Sequence, residues 1–440
     1  MIPLSVLIFA TVLFSLATNG ANGSCSVQFR YPKPQMVVHF GSKHLLRETP
    51  DTLTGELYEK YDIYCKHGFQ TQSYENIDGQ HKELKCESNY YFYMDTPNYS
   101  TQQVNWISCS GSQSSRMFES FTKLPDCENE MTLVVGHDFK ELGSLKNIAI
   151  CYDLLKAKVK YVAYTAYPSK MKIIEKTQIG QLNSLGLDVE VSPTNAMFNA
   201  ISTTDILNAL KKDRQLKQLF GDETFEYTNL IQDNAFKGDF DESSMAVKML
   251  NIVWLRALRS GNWRHLLNAL DVANLNGKYD VRIGVSGVVK LPMLQSCNVT
   301  QQMLLELPNG DTVAVPSHIW AHIRHLPQQS EASINNATND EFVAIAHNSP
   351  FVTNDQRQEL CNSMCHEVPW LKDSLFMKLQ NYPIYGVVQC CRVADVVDKL
   401  DYFPKSNGPP PSLDAPKYWI LPRPPPPKFE VQDENDDEID

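Results

Sequence analysis

The 440-residue chain lacks any second apolar run to match the one at its start. Ile2 to Ala17 reads IPLSVLIFATVLFSLA without a charge, and nothing downstream approaches it. The run is shorter than the roughly 20 residues a membrane-spanning helix needs, so the reading is of a chain with no membrane span once this segment is gone. No Lys or Arg precedes the run, which leaves the amino terminus as its only leading positive charge. The small polar stretch TNGANGS follows, and an apolar run closed by small residues is the secretory pattern. The expectation is a signal peptide over residues 1–22 and a mature chain that is secreted and folds in an oxidising compartment.

Basic charge is also in short supply. Lys and Arg number 40 against 51 Asp and Glu, a net charge of -11. Proteins that bind nucleic acid draw much of their affinity from Lys and Arg, so this balance works against such a ligand unless a local basic patch exists. Cysteine, by contrast, is plentiful: 11 residues, all downstream of the apolar run. In a secreted chain these read as disulfides, and the odd count leaves at least one thiol free or paired with another chain. Sequons stand at Asn22, Asn98, Asn298 and Asn336. Asn22 sits at the expected cleavage point, so the glycosylation candidates are Asn98, Asn298 and Asn336.

The layout falls into four parts. After the signal, residues 23–137 are rich in Tyr, Phe, Val and Thr between Gly, Pro and Asn, with five of the cysteines, which predicts a small disulfide-tied β-rich module. Residues 138–400 mix strands and helices. VKYVAYTAY (159–167), YDVRIGVSGVVKL and DTVAVPSHIWAHIR read as strands. Thr204–Leu219, Ser243–Arg259 and WRHLLNALDVAN read as helices, the last with Leu266, Leu267, Leu270 and Ala273 on one face and Asn262 as its cap. Regular strand–helix alternation is absent, so the fold class is α+β. Residues 401–440 are Pro-rich and then acidic, which predicts an extended, disordered tail.

One region carries a resemblance. Asn251, Gly261–Asn262–Trp263, Gly284, Gly287–Val288, Leu291–Pro292 and Val315–Pro316 stand in the order and spacing of the DNA/RNA non-specific endonuclease family. VKYVAYTAY, FVAIAHNSPFVT, the Cys361/Cys365 pair and YGVVQCCRV resemble segments of its secreted, Cys-rich animal members, insect ones especially. The likeness runs to about Leu400. It implies a ββα-metal nuclease core with a central antiparallel sheet and flanking helices. In active members a histidine in an Arg-Gly-His motif activates water. An asparagine holds one divalent ion, Mg2+ or Mn2+, and a glutamate eight residues later supports it. The resemblance also places Cys361, Cys365, Cys390 and Cys391 close enough to pair among themselves or with near neighbours.

The sequence lacks Arg-Gly-His altogether. Matched on LIQDNAFKGDF, Ile231 stands at the family arginine and Asp233 at the histidine. Counted from Trp263, Arg259 stands at the metal-binding asparagine and Leu267 at the glutamate. Arginine has no acceptor to offer a cation, and a carboxylate with an ordinary pKa near 3.9 is a weak base. Arg256, Arg259 and Arg264 are phosphate-contact candidates, against the plainer alternative of paired surface groups. His318, His322 and His325 invite a zinc reading, but on a strand the first two lie roughly 13 Å apart, too far to share an ion.

The expectation is therefore a secreted member of this family that has lost catalysis, needs no cofactor, and binds nucleic acid or an extracellular protein. The rivals are an active metal-dependent endonuclease using Asp233, Asp239 or Asp241, and a structural or signalling glycoprotein.

Overall fold

The computed structural model describes residues 24–405 apart from several internal stretches, among them 167–173, 176–188, 192–197, 233–244 and 327–340. The expected signal peptide, Asn22, Asn98, Asn336, Asp233, Asp239, Asp241 and the tail beyond 405 lie outside the described residues. No described helix is long and apolar enough to cross a membrane. The architecture is mixed α+β, dominated by strands in several sheets.

In the N-terminal part, alternation decides the faces. Ser24–Phe29 buries Cys25, Val27 and Phe29 and exposes the residues between them. This strand belongs to a five-stranded sheet, and a seven-stranded sheet includes His81–Cys86. Cys25–Cys86 joins the two sheets, and Cys65–Cys109 lies beside it in the same core, with Ile63, Phe69, Leu84 and Phe92.

The larger core is built on a nine-stranded sheet whose neighbouring strands all run antiparallel. Its strands include Arg116–Ser120 and Met131–Asp138, which the sequence reading groups with the preceding module. They also include Lys158–Ala166, Lys278–Ser286, His318–Leu326, Glu341–His347 and Val387–Cys391. The predicted strand over SHIWAHIR is present, and its alternation serves two cores. Ile319, Ala321 and Ile323 face a core that holds the helix Arg264–Ala273. Trp320 faces the other core, with Cys127–Cys151, Cys361–Cys391 and Phe403.

Leu266, Leu267, Leu270 and Ala273 are buried against the sheet, as the three- and four-residue spacing implies. The expected helix over Ser243–Arg259 is not formed as such. Met245–Lys248 is one helical turn, and Asn251–Leu255 is a strand. The period of Met245, Met249, Ile252 and Val253 is genuine, but Ile252–Val253–Trp254 is a β-branched and aromatic run that pairs with Phe225–Asn229. The four C-terminal cysteines pair as Cys361–Cys391 and Cys365–Cys390.

Candidate functional site

Phe225–Asn229 and Asn251–Leu255 form an antiparallel pair, with Glu226 opposite Trp254. The chain then turns directly into helix: Arg256–Leu258, a wider turn at Arg259–Trp263, and Arg264–Ala273. A helical turn, Met245–Lys248, precedes the second strand. Asn348, fully buried, fixes the strand end: its Oδ1 accepts from the Leu255 N–H at 2.6 Å, and its Nδ2 donates to the carbonyls of Val253 and Pro316 at 2.8 and 2.9 Å.

The wide turn is made by backbone contact with residues 383–386. A Cβ on Gly261 would meet the Tyr385 carbonyl oxygen at 2.3 Å, and Gly386 adopts φ +76 against the Leu258 backbone. Both positions demand glycine. Asn262 does not cap the helix as its position suggests. It lies inside the turn, fully buried, and its Nδ2 donates to the carbonyls of Leu379 (3.0 Å) and Gly386 (2.5 Å). An amide with two donors ties the turn to its neighbour, and that demand outweighs capping at this position.

Arg259 projects from this turn back to the strand pair. Its Nε and Nη2 engage both oxygens of Glu226, the latter at 3.1 Å, and its Nη1 donates to Gln232 Oε1 at 3.0 Å. Arg256 adds a second cation, with Nη1 at 2.6 Å from Glu223 Oε2 and Nε at 3.8 Å from Glu226. Glu226 thus sits between two guanidinium groups. The two-pronged contact is the stronger kind of ion pair, and both partners are less than one-third exposed.

The other positions singled out by sequence have different fates. Ile231 is buried and donates its N–H to Asn229 Oδ1 at 2.7 Å. Leu267 is buried in the helix-side core and presents no acceptor. Arg264 is exposed on the helix. Its neighbour His265 lies edge-on to Tyr385, and burial, then Arg264, holds it below the ordinary histidine pKa. Asn298 lies on the strand Ser296–Gln302. His318 and His322 lie along one strand rather than one helix face.

Among the described residues here, the set does not fit a divalent cation: Glu226 and Gln232 are engaged by Arg259 and Glu223 by Arg256, and the two arginines would repel the ion. Sequence reasoning missed Glu223, Glu226 and Gln232, because a carboxylate on a short strand carries no mark of the helical arginine it will meet.

No family model matches the chain, and no curated protein is similar to it. Among solved structures, a chain of the EndoG/EndoGI complex, described as showing the mechanism of EndoG inhibition, is 10% identical. It overlays with a TM-score of 0.24, covering 53% of this chain and 84% of that one. An overlay of that quality carries no argument about fold or function.

Proposed function

We propose that this chain is a secreted, catalytically silent protein on the scaffold of the DNA/RNA non-specific endonucleases, acting through a protein partner. The observation that carries the reading is the clasp of Arg259 by Glu226 and Gln232. In the resemblance, position 259 belongs to the asparagine that holds the divalent ion. Here a tethered cation takes that place and brings its own counterion. A strand pair that leads into the helix supports this reading. In this reading residues 116–400, which include the strands Arg116–Ser120 and Met131–Asp138, make the nuclease-like domain, 23–115 the β-rich module and 401–440 the tail. Five disulfides suit an oxidising compartment.

Two of the three arginines suggested for phosphate contact, Arg256 and Arg259, are held by carboxylates. Together with the net charge of -11 this favours a protein partner over nucleic acid. The test is a cleavage assay on plasmid DNA and RNA with Mg2+, Mn2+ or a chelator, run beside a gel-shift series across salt. The expected result is no metal-dependent cleavage and no salt-sensitive shift. Chelator-sensitive cleavage would reinstate an active endonuclease using carboxylates of the 233–241 segment, and a shift that weakens steeply with salt would reinstate nucleic acid as the ligand.

A further inference from the structure

The five-stranded sheet of the N-terminal part buries one face and turns the other to solvent. Cys25, Val27, Phe29, Leu53 and Ile107 fill the core. The alternate positions, as the two-residue period requires, carry Ser, Thr, Gln and Asn around one Trp. On the strands of this face Glu56 is the one carboxylate among the described residues, opposite Ser24. Arg30 lies beyond the other end of the strand that starts at Ser24, so roughly 20 Å separates the two charges.

Arg30 is held by stacking. Its guanidinium carbon lies 4.3 Å over the Trp106 ring, and its backbone N–H donates to the Ile107 carbonyl at 2.8 Å. Nearby Lys33 is paired with Asp51 at 2.8 Å, whereas no described carboxylate pairs with Arg30. The register sets Arg30 in a row with Ser108, Gln70 and Asn76. Gln70 Nε2 donates to Asn76 Oδ1 at 3.1 Å, and Ser110 Oγ donates to the same oxygen at 3.4 Å. These contacts orient the two amides and leave Gln70 Oε1 and Asn76 Nδ2, an acceptor and a donor, for a ligand. Three strand spacings, about 14 Å, separate Arg30 from Asn76. On the other side of Arg30 stand Gln28 and Thr52, in register with each other. Tyr31, 86% exposed, adds an open ring.

The chemistry of this face selects its ligand. A protein partner asks for an apolar centre, and Trp106 and Tyr31 alone do not make one. A nucleic acid or a densely sulfated chain asks for many cations, and the face holds one that is unpaired. Oriented amides and hydroxyls instead match a ligand rich in hydroxyls, and a fixed guanidinium matches one carboxylate with two parallel hydrogen bonds. Polar groups on both sides of Arg30 fit an acid inside a chain rather than at its end. We infer that this face binds a linear oligosaccharide that carries uronate: Arg30 takes the carboxylate, Gln70 and Asn76 take hydroxyls further along, and Tyr31 covers the apolar side of a ring. The inference concerns the β-rich module alone and is independent of the reading of Arg259.

The experiment is isothermal titration calorimetry on the full chain at pH about 7. The probes are a hyaluronan tetrasaccharide, the same tetrasaccharide with its carboxyls reduced to alcohols, sialyllactose and dextran sulfate. The expected result is a Kd below about 1 mM for the uronate form and binding at least about tenfold weaker for the reduced form. Arg30→Gln should weaken the uronate form by the same factor and leave the reduced form unchanged, and Asn76→Ala should weaken both forms alike. Both side chains are exposed, and far-UV circular dichroism checks that the variants fold. If Arg30→Gln does not fold, the two forms of the tetrasaccharide on wild type decide. No binding of the uronate form, equal binding of the reduced form, or a folded Arg30→Gln that binds like wild type would overturn the inference. So would sialyllactose or dextran sulfate bound as tightly as the uronate form.

Discussion

The two faces of the nine-stranded sheet carry different polar groups. On the helix side, the charges of Arg259, Arg256 and Glu226 are kept and paired. On the other face, burial holds His318 and His347 below the ordinary histidine pKa, and Arg282 is fully buried 3.8 Å from Asp280. A paired charge survives a change of pH but not the loss of its partner. A neutral imidazole in a dry site survives a polar substitution but not acid. The covering elements differ as well: one face is covered by the helix Arg264–Ala273, the other by residues that include Leu400 and Phe403.

The largest expected effect compares one kind of deletion on both faces. Trp263 is fully buried against Trp254, and Trp263→Ala should cost about 3–5 kcal/mol of global stability in denaturant titration. Phe403→Ala removes a buried ring from the other cover. It should open 398–405 to exchange and shift the global midpoint by less than half as much. Equal losses would mean that the two covers are one cooperative unit.

Next comes pH. The folded pKa of both His318 and His347 lies below the unfolded value of about 6.5, so the unfolded chain takes up more protons. Their contribution is fully present above pH about 6.5 and lost as pH falls towards about 4. The stability of the His318→Asn, His347→Gln variant should fall less over this window, as read from urea midpoints.

A smaller effect is expected at that pair. Arg259→Ala leaves a partly buried carboxylate short of its main partner and should cost about 1–3 kcal/mol. Adding Glu226→Ala should recover part of that loss, and strictly additive effects in the cycle would mean that the two side chains are not coupled. The smallest effect lies on the other face. Thr353 and Gln356 form a reciprocal capping box at the start of Asn354–Leu360, and Thr353→Ala should cost about 1 kcal/mol by thermal denaturation.

Local pattern made much of this legible. The helix after Trp263, the strands Lys158–Ala166 and Lys278–Ser286, and the pairing of Cys361, Cys365, Cys390 and Cys391 among themselves follow from periodicity and proximity along the chain. What escaped was set by distant partners. Asn251–Leu255 is a strand because Phe225–Asn229 pairs with it. Asn262 is a tie between two segments because Gly261 brings residues 383–386 into backbone contact. Glu226 became the counterion of Arg259 across 33 residues, and His347 met His318 across 29, with Asp401 arriving from the end of the core. None of these has a local signature.

The central claim is that a tethered arginine stands where the resemblance implies a metal ion. Mn2+ binding, followed by electron paramagnetic resonance on the full chain, tests it most directly, with wild type beside a variant carrying Asp233→His, Arg259→Asn and Leu267→Glu. The account predicts no stoichiometric Mn2+ site in wild type and one in the variant. One Mn2+ bound tightly by wild type, and lost when Glu226 is replaced by Gln, would contradict it.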